Sequence, residues 1–371
     1  MNKPADIYLS LAGRFAEEAM IGPRADSGLL TEFLRHCFAP GEAGIAVLLP
    51  FYYQPWTLEK TVKAAGAPKE VVKPFLDSMV AKGLIRGRQG KYSLLPILPG
   101  MFENVLMDND ETTWHKKFAR LASELYETGY VRKYLEQSTH VLRSIPIGES
   151  VERESRALNP DDVEMMIRSH DLMVVLNNCQ CRQAKYLVGE ECSRADRTDG
   201  CIAFGDFAHL YLERGVARQL DRESMRSVVR ERSDNNLVFL AGNVSAGNAN
   251  QICTCCDCCC HLLGQIVKID PDYVVSPPRY VAVVNEKKCN SCGKCISACN
   301  IMAHEMMGKR HFYDQTRCIG CGLCLGVCPT AAIDFVENPG YKKPAKNFKR
   351  LAIRLAPAKI MAMAKSKIKG S

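Results

Sequence analysis

The sequence predicts a multidomain protein of the α+β class. Its 371 residues can hold two or three domains, because single domains usually contain about 100–200 residues. Helical periodicity dominates the first half, whereas short β-branched strand patterns lead into cysteine-rich segments in the second half. We therefore expect domains at residues 1–100, 101–279 and 280–340, followed by a tail at 341–371.

The first domain begins with two helical patterns. Apolar residues at helical spacing predict a helix from Leu29 to Phe38. Thr57 is a candidate N-cap for the segment LEKTVKAA, and Gly66 is a candidate end for it. A short helical domain is therefore expected to start near residue 28.

A further helix and a hairpin complete this domain. Pro68 opens the helix, and Gly83 is its candidate C-terminal residue. Its predicted apolar face is formed by Val71, Val72, Phe75, Leu76, Met79 and Val80. Alternating residues around Gln89 and Gly90 predict a hairpin. This order of helix, turn, helix and two-stranded wing resembles a winged-helix domain.

The middle region is predicted to be an αβ domain. Residues 101–175 are expected to be mostly helical, and Asp221 is a candidate cap for one of two helices within 203–232. The apolar segments 172–178 and 236–243 have strand composition, and each leads towards cysteines. The loops of this domain are therefore expected to meet at a metal site.

The cysteine distribution indicates metal binding rather than disulfide formation. Of nineteen cysteines, four lie in 179–201, six in 253–260 and eight in 289–328. Such C-x-C and C-x2-C spacings suit metal sites, whereas disulfide frameworks are typical of short secreted chains. Residues 1–25 lack the apolar core of a signal peptide, and no apolar run approaches the ~20 residues of a membrane span. We expect a cytoplasmic protein, because thiolate ligands require a reducing compartment.

Two cysteine runs with the spacing C-x2-C-x2-C-x3-C form the most specific pattern of the chain. The runs consist of Cys289, Cys292, Cys295 and Cys299, and of Cys318, Cys321, Cys324 and Cys328. Three thiolates from one loop can surround one face of a cubane cluster, and Gly293, Gly320 and Gly322 provide the backbone freedom that such loops need. The segment resembles the bacterial-type two-cluster ferredoxin. Two structural zinc sites would leave the third and fourth cysteine of each run unexplained.

The resemblance implies two [4Fe-4S] clusters with crossed ligands, because in this family the fourth cysteine of each run binds the other cluster. One cluster would take Cys289, Cys292, Cys295 and Cys328, and the other would take Cys318, Cys321, Cys324 and Cys299. Asn300 departs from the family pattern, in which proline usually follows the fourth cysteine, but this departure removes no thiolate. His304 and His311 are assigned no role.

The middle cysteines predict at least one further metal centre. The candidate ligands are Cys179, Cys181, Cys192, Cys201, Cys253, Cys255, Cys256 and Cys259. The first four could hold one [4Fe-4S] cluster alone, or both groups could share ligands. Because Cys255 and Cys256 point to opposite sides of an extended chain, the block could serve two clusters or one larger cluster. Arg182 either balances cluster charge or makes an ordinary surface salt bridge.

These patterns predict an iron–sulfur electron-transfer protein with two [4Fe-4S] clusters and one or two more in the middle domain. A C-x-C-R segment, a dense cysteine block and a terminal two-cluster ferredoxin are similar to the layout of multidomain proteins from anaerobes. One alternative is an oxidoreductase with chemistry at the middle site, since clustered thiolates of low pKa are nucleophilic. Another is a redox-sensing DNA-binding regulator. We expect the winged helix to dock proteins rather than DNA, because its basic residues are scattered. These are Lys69, Lys73, Lys82, Arg86, Arg88 and Lys91.

The tail is basic and amphipathic. It contains ten lysines and arginines and no acidic residue, so that the rest of the chain has a net charge of −2 although the whole chain has +8. Pro357 divides the segment. Apolar residues interrupt the basic ones: Phe348, Leu351, Ile353, Leu355, Ile360 and Met361. The tail is either a solvated terminus or an arm that docks an acidic redox partner or an anionic membrane surface. In the latter case the protein is peripheral to the membrane.

Overall fold

The chain folds into two compact units that both mix helix and strand, as the α+β class predicts at this coarse level. The computed structural model describes residues 6–18, 27–51, 54–129, 140–147, 163–268 and 275–355. Unit 1 contains Met1–Tyr134 and Gln183–Glu190, and unit 2 contains Leu135–Arg182 and Glu191–Ser371. The boundaries at residues 100, 279 and 340 stay predictions. Within the described ranges, the helices are too short or too polar to span a bilayer.

Fifteen α-helices lie in the described part of the chain. Their bounds are α1 Ile7–Glu18, α2 Gly28–Cys37, α3 Pro40–Ala46, α4 Leu58–Ala65, α5 Lys69–Ala81, α6 Phe102–Val105, α7 Thr113–Glu127, α8 Val163–Ser169, α9 Gln180–Leu187, α10 Gly205–Glu213, α11 Arg222–Asp234, α12 His261–Lys268, α13 Lys294–Ala298, α14 Leu323–Gly326 and α15 348–355.

Thirteen strands lie in the same described ranges. Their bounds are β1 Trp56–Thr57, β2 Ile85–Arg88, β3 Lys91–Leu94, β4 Leu142–Ile145, β5 Met173–Leu176, β6 Ile202–Phe204, β7 Ala217–Gln219, β8 Val238–Gly242, β9 Gln251–Cys255, β10 Tyr280–Val284, β11 His304–Met307, β12 Arg310–Tyr313 and β13 Ile333–Glu337.

Local sequence determines the helices of unit 1, and the predicted caps are confirmed. The Thr57 hydroxyl accepts a hydrogen bond from Lys60 N at 3.3 Å and caps α4, which ends at Gly66 with φ of 60°. Pro68 is the N-cap of α5. The predicted apolar face of α5 is wrong at Val71, which is 49% exposed, because the buried stripe consists of Val72, Leu76 and Met79.

A three-stranded antiparallel sheet of order β1-β3-β2 accompanies these helices, with β1 before α4 and the other two strands after α5. The predicted hairpin is present, because Arg88 pairs with Lys91 across Gln89 and Gly90. Both turn residues have positive φ, 52° and 70°, as expected for a two-residue hairpin turn. The resemblance to a winged helix stays a prediction.

Glu42 joins α3 to the C-terminal end of α5. Its side chain is nearly inaccessible to solvent and accepts hydrogen bonds from Lys82 Nζ at 2.8 Å, Ser78 Oγ at 2.7 Å and Ala39 N at 2.8 Å. Burial alone would raise the pKa of Glu42, but the hydrogen bonds from Lys82 and Ser78 outweigh it and lower the pKa below its usual value.

Unit 2 contains a six-stranded sheet with the order β4-β8-β9-β6-β5-β7, in which all pairs of strands are antiparallel. The predicted strands at 172–178 and 236–243 are confirmed as β5 and β8, and Asp221 caps α11 as predicted. The sequence did not predict β4, β6, β7 or β9. Instead of following β8 in a loop, Cys253 and Cys255 lie in β9, which pairs with β8.

Two hairpin-like pairs form the C-terminal part of unit 2. Strand β10 pairs with β13, and β11 pairs with β12, both in antiparallel register. Helices α13 and α14 each follow the second cysteine of one run. This small α+β arrangement brings the two cysteine runs into one core.

The first part of the tail packs against the segment that directly follows strand β8 of the six-stranded sheet. Ala345 exchanges backbone hydrogen bonds with Asn243 and Ser245, at 3.0 and 2.9 Å, and Leu351 in α15 is buried. The hypothesis of a solvated terminus is therefore wrong at Ala345 and Leu351, which are buried. Pro357, Ile360 and Met361 lie outside the described residues.

Candidate metal centres

Glycines shape the loops that carry the two C-terminal cysteine runs. Gly293, Gly320 and Gly322 all have positive φ, between 67° and 86°. At Gly320 there is also no room for a side chain, because a Cβ would lie 2.3 Å from the carbonyl oxygen of Tyr280. After these turns, α13 and α14 bury Cys295 and Cys324 in a common core with Ile333 and Phe335.

The first set of cysteines surrounds one cavity. Cys289, Cys292 and Cys295 from one run line it together with Cys328 from the other run. Ala332 N donates a hydrogen bond to Cys328 Sγ at 3.3 Å, so a backbone dipole already points at one of these sulfur atoms. The arrangement is the crossed one that the ferredoxin resemblance implies.

The second set consists of Cys318, Cys321, Cys324 and Cys299. These four thiols lie close enough for the charge of each to influence the others. Ala303 N–H donates to Cys299 Sγ at 3.3 Å, and Gly320 N–H donates to Cys318 Sγ at 3.4 Å. Burial raises the pKa of Cys295 to about 11 and that of Cys321 to about 12. Thiolates in these positions therefore require a positively charged partner such as iron.

Two histidines next to the first set were not predicted to have a role. His311 Nε2 lies 3.4 Å from Cys295 Sγ and 2.9 Å from His304 Nδ1. Burial and the neighbouring His311 lower the pKa of His304 to about 4, so this ring is neutral near pH 7 and can accept a hydrogen bond. His311 Nε2 thus lies within hydrogen-bond distance of a cysteine sulfur and of a ring nitrogen, and a single N–H there has both as acceptors. No sequence spacing indicated this, because the contact depends on the pairing of β11 with β12.

Asn300, the departure from the ferredoxin pattern, connects the C-terminal runs to the middle cysteines. Its Oδ1 accepts from Asp257 N at 3.1 Å, and its Nδ2 donates to the carbonyl oxygen of Asn236 at 2.8 Å. Arg194 reinforces this junction through two hydrogen bonds to Asp257, at 2.7 and 2.9 Å, and one to Ser297 O at 3.1 Å. Asp257 lies between Cys256 and Cys258, and Asn300 follows Cys299 directly.

Cys192, Cys256, Cys258 and Cys259 form what we term the four-thiol set. Their sulfur atoms all lie within 4.8 Å of one another. Three pairs, Cys192–Cys256, Cys192–Cys258 and Cys258–Cys259, are each 3.6 Å apart. Cys192 therefore joins the later block rather than Cys179, Cys181 and Cys201. The ligands predicted from the sequence lacked Cys258, which completes this set.

The six-thiol set consists of Cys179, Cys181, Cys201, Cys253, Cys255 and Cys260. Its thiols contact one another in series, from Cys179 through Cys181, Cys260, Cys255 and Cys253 to Cys201. Cys260, also absent from the predicted ligands, is the middle link. Cys255 and Cys256 belong to different sets, as the alternation along an extended chain predicts.

Two buried arginines lie beside the middle thiols: Arg232 near the six-thiol set, and Arg182 near thiols of both sets. Arg182 and Arg232 are only 1% and 2% exposed, and neither pairs with a carboxylate among the described residues. Burial lowers the pKa of Arg182, but the thiols of Cys179, Cys256 and Cys192 outweigh this and raise it. Arg182 donates to the carbonyl oxygens of Asp199 and Thr254 at 2.9 and 3.0 Å. The surface salt bridge predicted as one alternative for Arg182 is therefore wrong.

The cysteine spacing and geometry indicate iron–sulfur binding. Residues 282–335 match a family model described as a 4Fe-4S dicluster domain. Together with the cysteine-rich sets, this match indicates an iron–sulfur electron-transfer role. No curated protein and no solved structure matches the chain.

Proposed function

We propose that the protein transfers electrons through two [4Fe-4S] clusters in residues 280–340 and a further metal centre in the middle region. The observation that carries this proposal is the convergence of both cysteine runs into two sets of four thiols, each completed by the last cysteine of the other run. A cubane needs one thiolate for each of its four iron atoms, so each set suffices for one cluster.

Cluster ligation follows these sets. Cys289, Cys292, Cys295 and Cys328 would hold one cluster, and Cys318, Cys321, Cys324 and Cys299 would hold the other. Backbone N–H groups aimed at Cys299, Cys318 and Cys328 support this assignment, because such donors stabilise a cluster's negative charge.

The six-thiol set is the proposed site of the further cluster. Buried charges are normally paired, yet Arg182 and Arg232 lack carboxylate partners within the described ranges. A metal–thiolate centre carries net negative charge and would supply what both guanidinium groups lack. Six thiols exceed the four that a single tetrahedral ion takes, and this favours a polynuclear centre.

Electrons would pass between the middle region and the ferredoxin domain through the junction at Asn300. Cys299 is linked covalently to Asn300, and the Asn300 side chain accepts a hydrogen bond from Asp257 N–H. This gives a short path between the two regions. The cluster ligated by Cys299 is therefore the proposed point of exchange with the middle centre.

A redox partner protein is proposed to dock on the exposed hairpin of β11 and β12. Met302, Met307 and Phe312 are 65%, 63% and 45% exposed, which is unusual for large apolar side chains close to one another in sequence. Met302 precedes Ala303, whose N–H donates to Cys299 Sγ, so a partner at Met302 would approach the cluster proposed at Cys299.

For the N-terminal domain we retain protein docking by a winged helix as the proposal. Of its basic residues, Lys73 pairs with Asp77 and Lys82 pairs with buried Glu42. These compensated charges leave a weaker field for a phosphate backbone, which disfavours the regulator alternative.

Iron, sulfide and EPR measurements on the anaerobically purified full-length chain test this function. We expect at least about eight iron and eight sulfide from two cubanes, and a further signal from the middle centre. Changing Cys292 to Ala should remove one ferredoxin-type signal, and changing Cys321 to Ala should remove the other. Cys37, buried in α2, gives the matched control, because C37A should alter neither signal.

Zinc in place of iron in the two C-terminal cysteine sets of the native protein would overturn the proposal. A middle-centre spectrum that changes when a disulfide is added would instead favour the oxidoreductase alternative.

A further inference from the structure

The four-thiol set has the dimensions of a site for a single metal ion. An ion with four sulfur ligands at about 2.3 Å in tetrahedral geometry separates the sulfur atoms by about 3.8 Å. The three closest pairs of this set are 3.6 Å apart, and all pairs lie within 4.8 Å. The sulfur atoms thus already form a compact tetrathiolate cage.

A cubane cluster does not fit this arrangement. Each thiolate of a cubane binds a different iron atom, which holds the four sulfur ligands apart around the cluster. Cys289, Cys292, Cys295 and Cys328 line a cavity in that manner. In the four-thiol set, by contrast, Cys192 contacts Cys256 and Cys258 directly, and no cluster can stand between touching sulfur atoms.

The surroundings hold the set in place. Cys256, Cys258 and Cys259 lie in the turn between β9 and α12, and Asn300 and Arg194 fix Asp257 within that turn. Cys256 and Cys259 also pack on Leu237 in a small buried cluster. Cys192 comes from a different segment, so metal binding would join two parts of unit 2.

We propose that Cys192, Cys256, Cys258 and Cys259 bind one divalent transition ion, zinc or iron, in a closed tetrathiolate site. The inference rests on the proposed function only for the presence of metal in the middle region, and it separates this ion from the polynuclear centre of the six-thiol set. Because four thiolates fill a tetrahedral shell, the site leaves no position for a substrate. Its role is to hold the junction between the cysteine block and the ferredoxin domain.

The test compares metal content in the full-length chain and in a Cys258→Ser variant, both purified anaerobically. Cys258 is the exposed member of the set, so its replacement disturbs packing least. We expect the variant to lose one zinc or one iron per chain and no sulfide, while the EPR signals of the ferredoxin clusters persist. C37A is the control and should keep every metal.

Measurements on the unaltered chain make the test independent of how the variant folds. If the ion is zinc, X-ray absorption at the zinc edge should show four sulfur ligands at about 2.3 Å and no neighbouring metal. If it is iron, Mössbauer spectra should contain a mononuclear tetrathiolate component beside the clusters.

Loss of about four iron with sulfide on changing Cys258 would mean a cubane and would overturn the proposal. So would unchanged metal content in a folded variant, or the absence of both spectroscopic components from the unaltered chain. Missing ferredoxin signals in the wild type would instead contradict the proposed function. The number of metal ions lost in the Cys258→Ser variant would still test the single-ion site.

Discussion

His311 lies beside Cys295, a ligand of one proposed cluster, where a hydrogen bond would change the reduction potential. Its Nε2 reaches both Cys295 Sγ and the neutral ring of His304. A hydrogen bond to a ligand sulfur stabilises the reduced cluster, because reduction adds negative charge there. A His311 N–H that points at Cys295 Sγ would therefore raise the reduction potential of the cluster proposed at Cys295.

We expect His311→Phe to lower that potential and leave the other cluster unchanged. The aromatic ring preserves stacking on His304, while the donor is lost. A net hydrogen bond is worth about 1 kcal/mol, equivalent to about 40 mV for one electron. EPR-monitored redox titration of both clusters measures this shift. Equal potentials in the variant and the wild type would show that His311 does not donate to the cluster ligand.

The residue scale also shows where spacing patterns are informative. The two ferredoxin runs were recognisable from their spacing, and the family resemblance implied which sulfur atoms would share a cluster. The partition of the middle thiols was not. Cys258 and Cys260 could be recognised as members of two sets only from the fold, which carries Cys192 to one face of the block and Cys181 to another. Asn300 was visible as a departure, but its partners Asp257 and Asn236 lie far away in sequence.

Among the elements, α3 and α5 depend on the buried carboxylate of Glu42. Its folded-state pKa is lowered, so its stabilising contribution is complete above the pKa of the unfolded chain and is lost as pH falls through the lower folded value. Glu42 lies in unit 1, and the two tryptophans of the chain, Trp56 and Trp114, lie there as well. Tryptophan fluorescence therefore reports on the same unit.

We expect the unfolding free energy of unit 1 to fall as pH decreases below about 4.5, and Glu42→Gln to weaken this dependence. At neutral pH the variant should be less stable by about 1–3 kcal/mol, because Lys82 loses its charged partner. Denaturant titrations followed by tryptophan fluorescence at several pH values test both points. Asp77→Asn, at an exposed ion pair, is the control and should change stability by less than about 1 kcal/mol. A variant with the acid dependence of the wild type would rule out Glu42 as its source.

Elements with strong local patterns were predicted, and elements defined by pairing were not. Helices α4, α5 and α11 carry their own caps, and β5 and β8 are continuous apolar segments. Strand β4 is four residues long, contains Arg143, and pairs with β8 about a hundred residues later. Strand β9 consists largely of cysteine and polar residues. Neither has the composition of a strand, so only the sheet itself specifies them.

At the scale of the whole molecule, the tail divides into an anchored and a terminal part. Residues 345–351 belong to the fold, through the backbone hydrogen bonds of Ala345 and the burial of Leu351. Removing all of 341–371 would therefore damage unit 2 as well as any docking function. A truncation after residue 355 separates the two effects, because it keeps these contacts.

We expect a chain truncated after residue 355 to keep its full iron and sulfide content but to bind anionic vesicles less. The truncation removes four lysines, Lys359, Lys365, Lys367 and Lys369, and each lysine near an anionic surface is worth about 1 kcal/mol. Binding at low salt should therefore weaken by about a thousandfold, and the difference should shrink as salt rises and screens the charges. Co-sedimentation with phosphatidylserine vesicles at increasing salt measures this loss of binding. A full-length chain with the four lysines changed to glutamine separates the effect of charge from that of apolar contacts. If the truncated and complete chains bind such vesicles equally at every salt concentration, residues 356–371 are not a membrane-docking arm, and an acidic partner protein becomes the occupant to test.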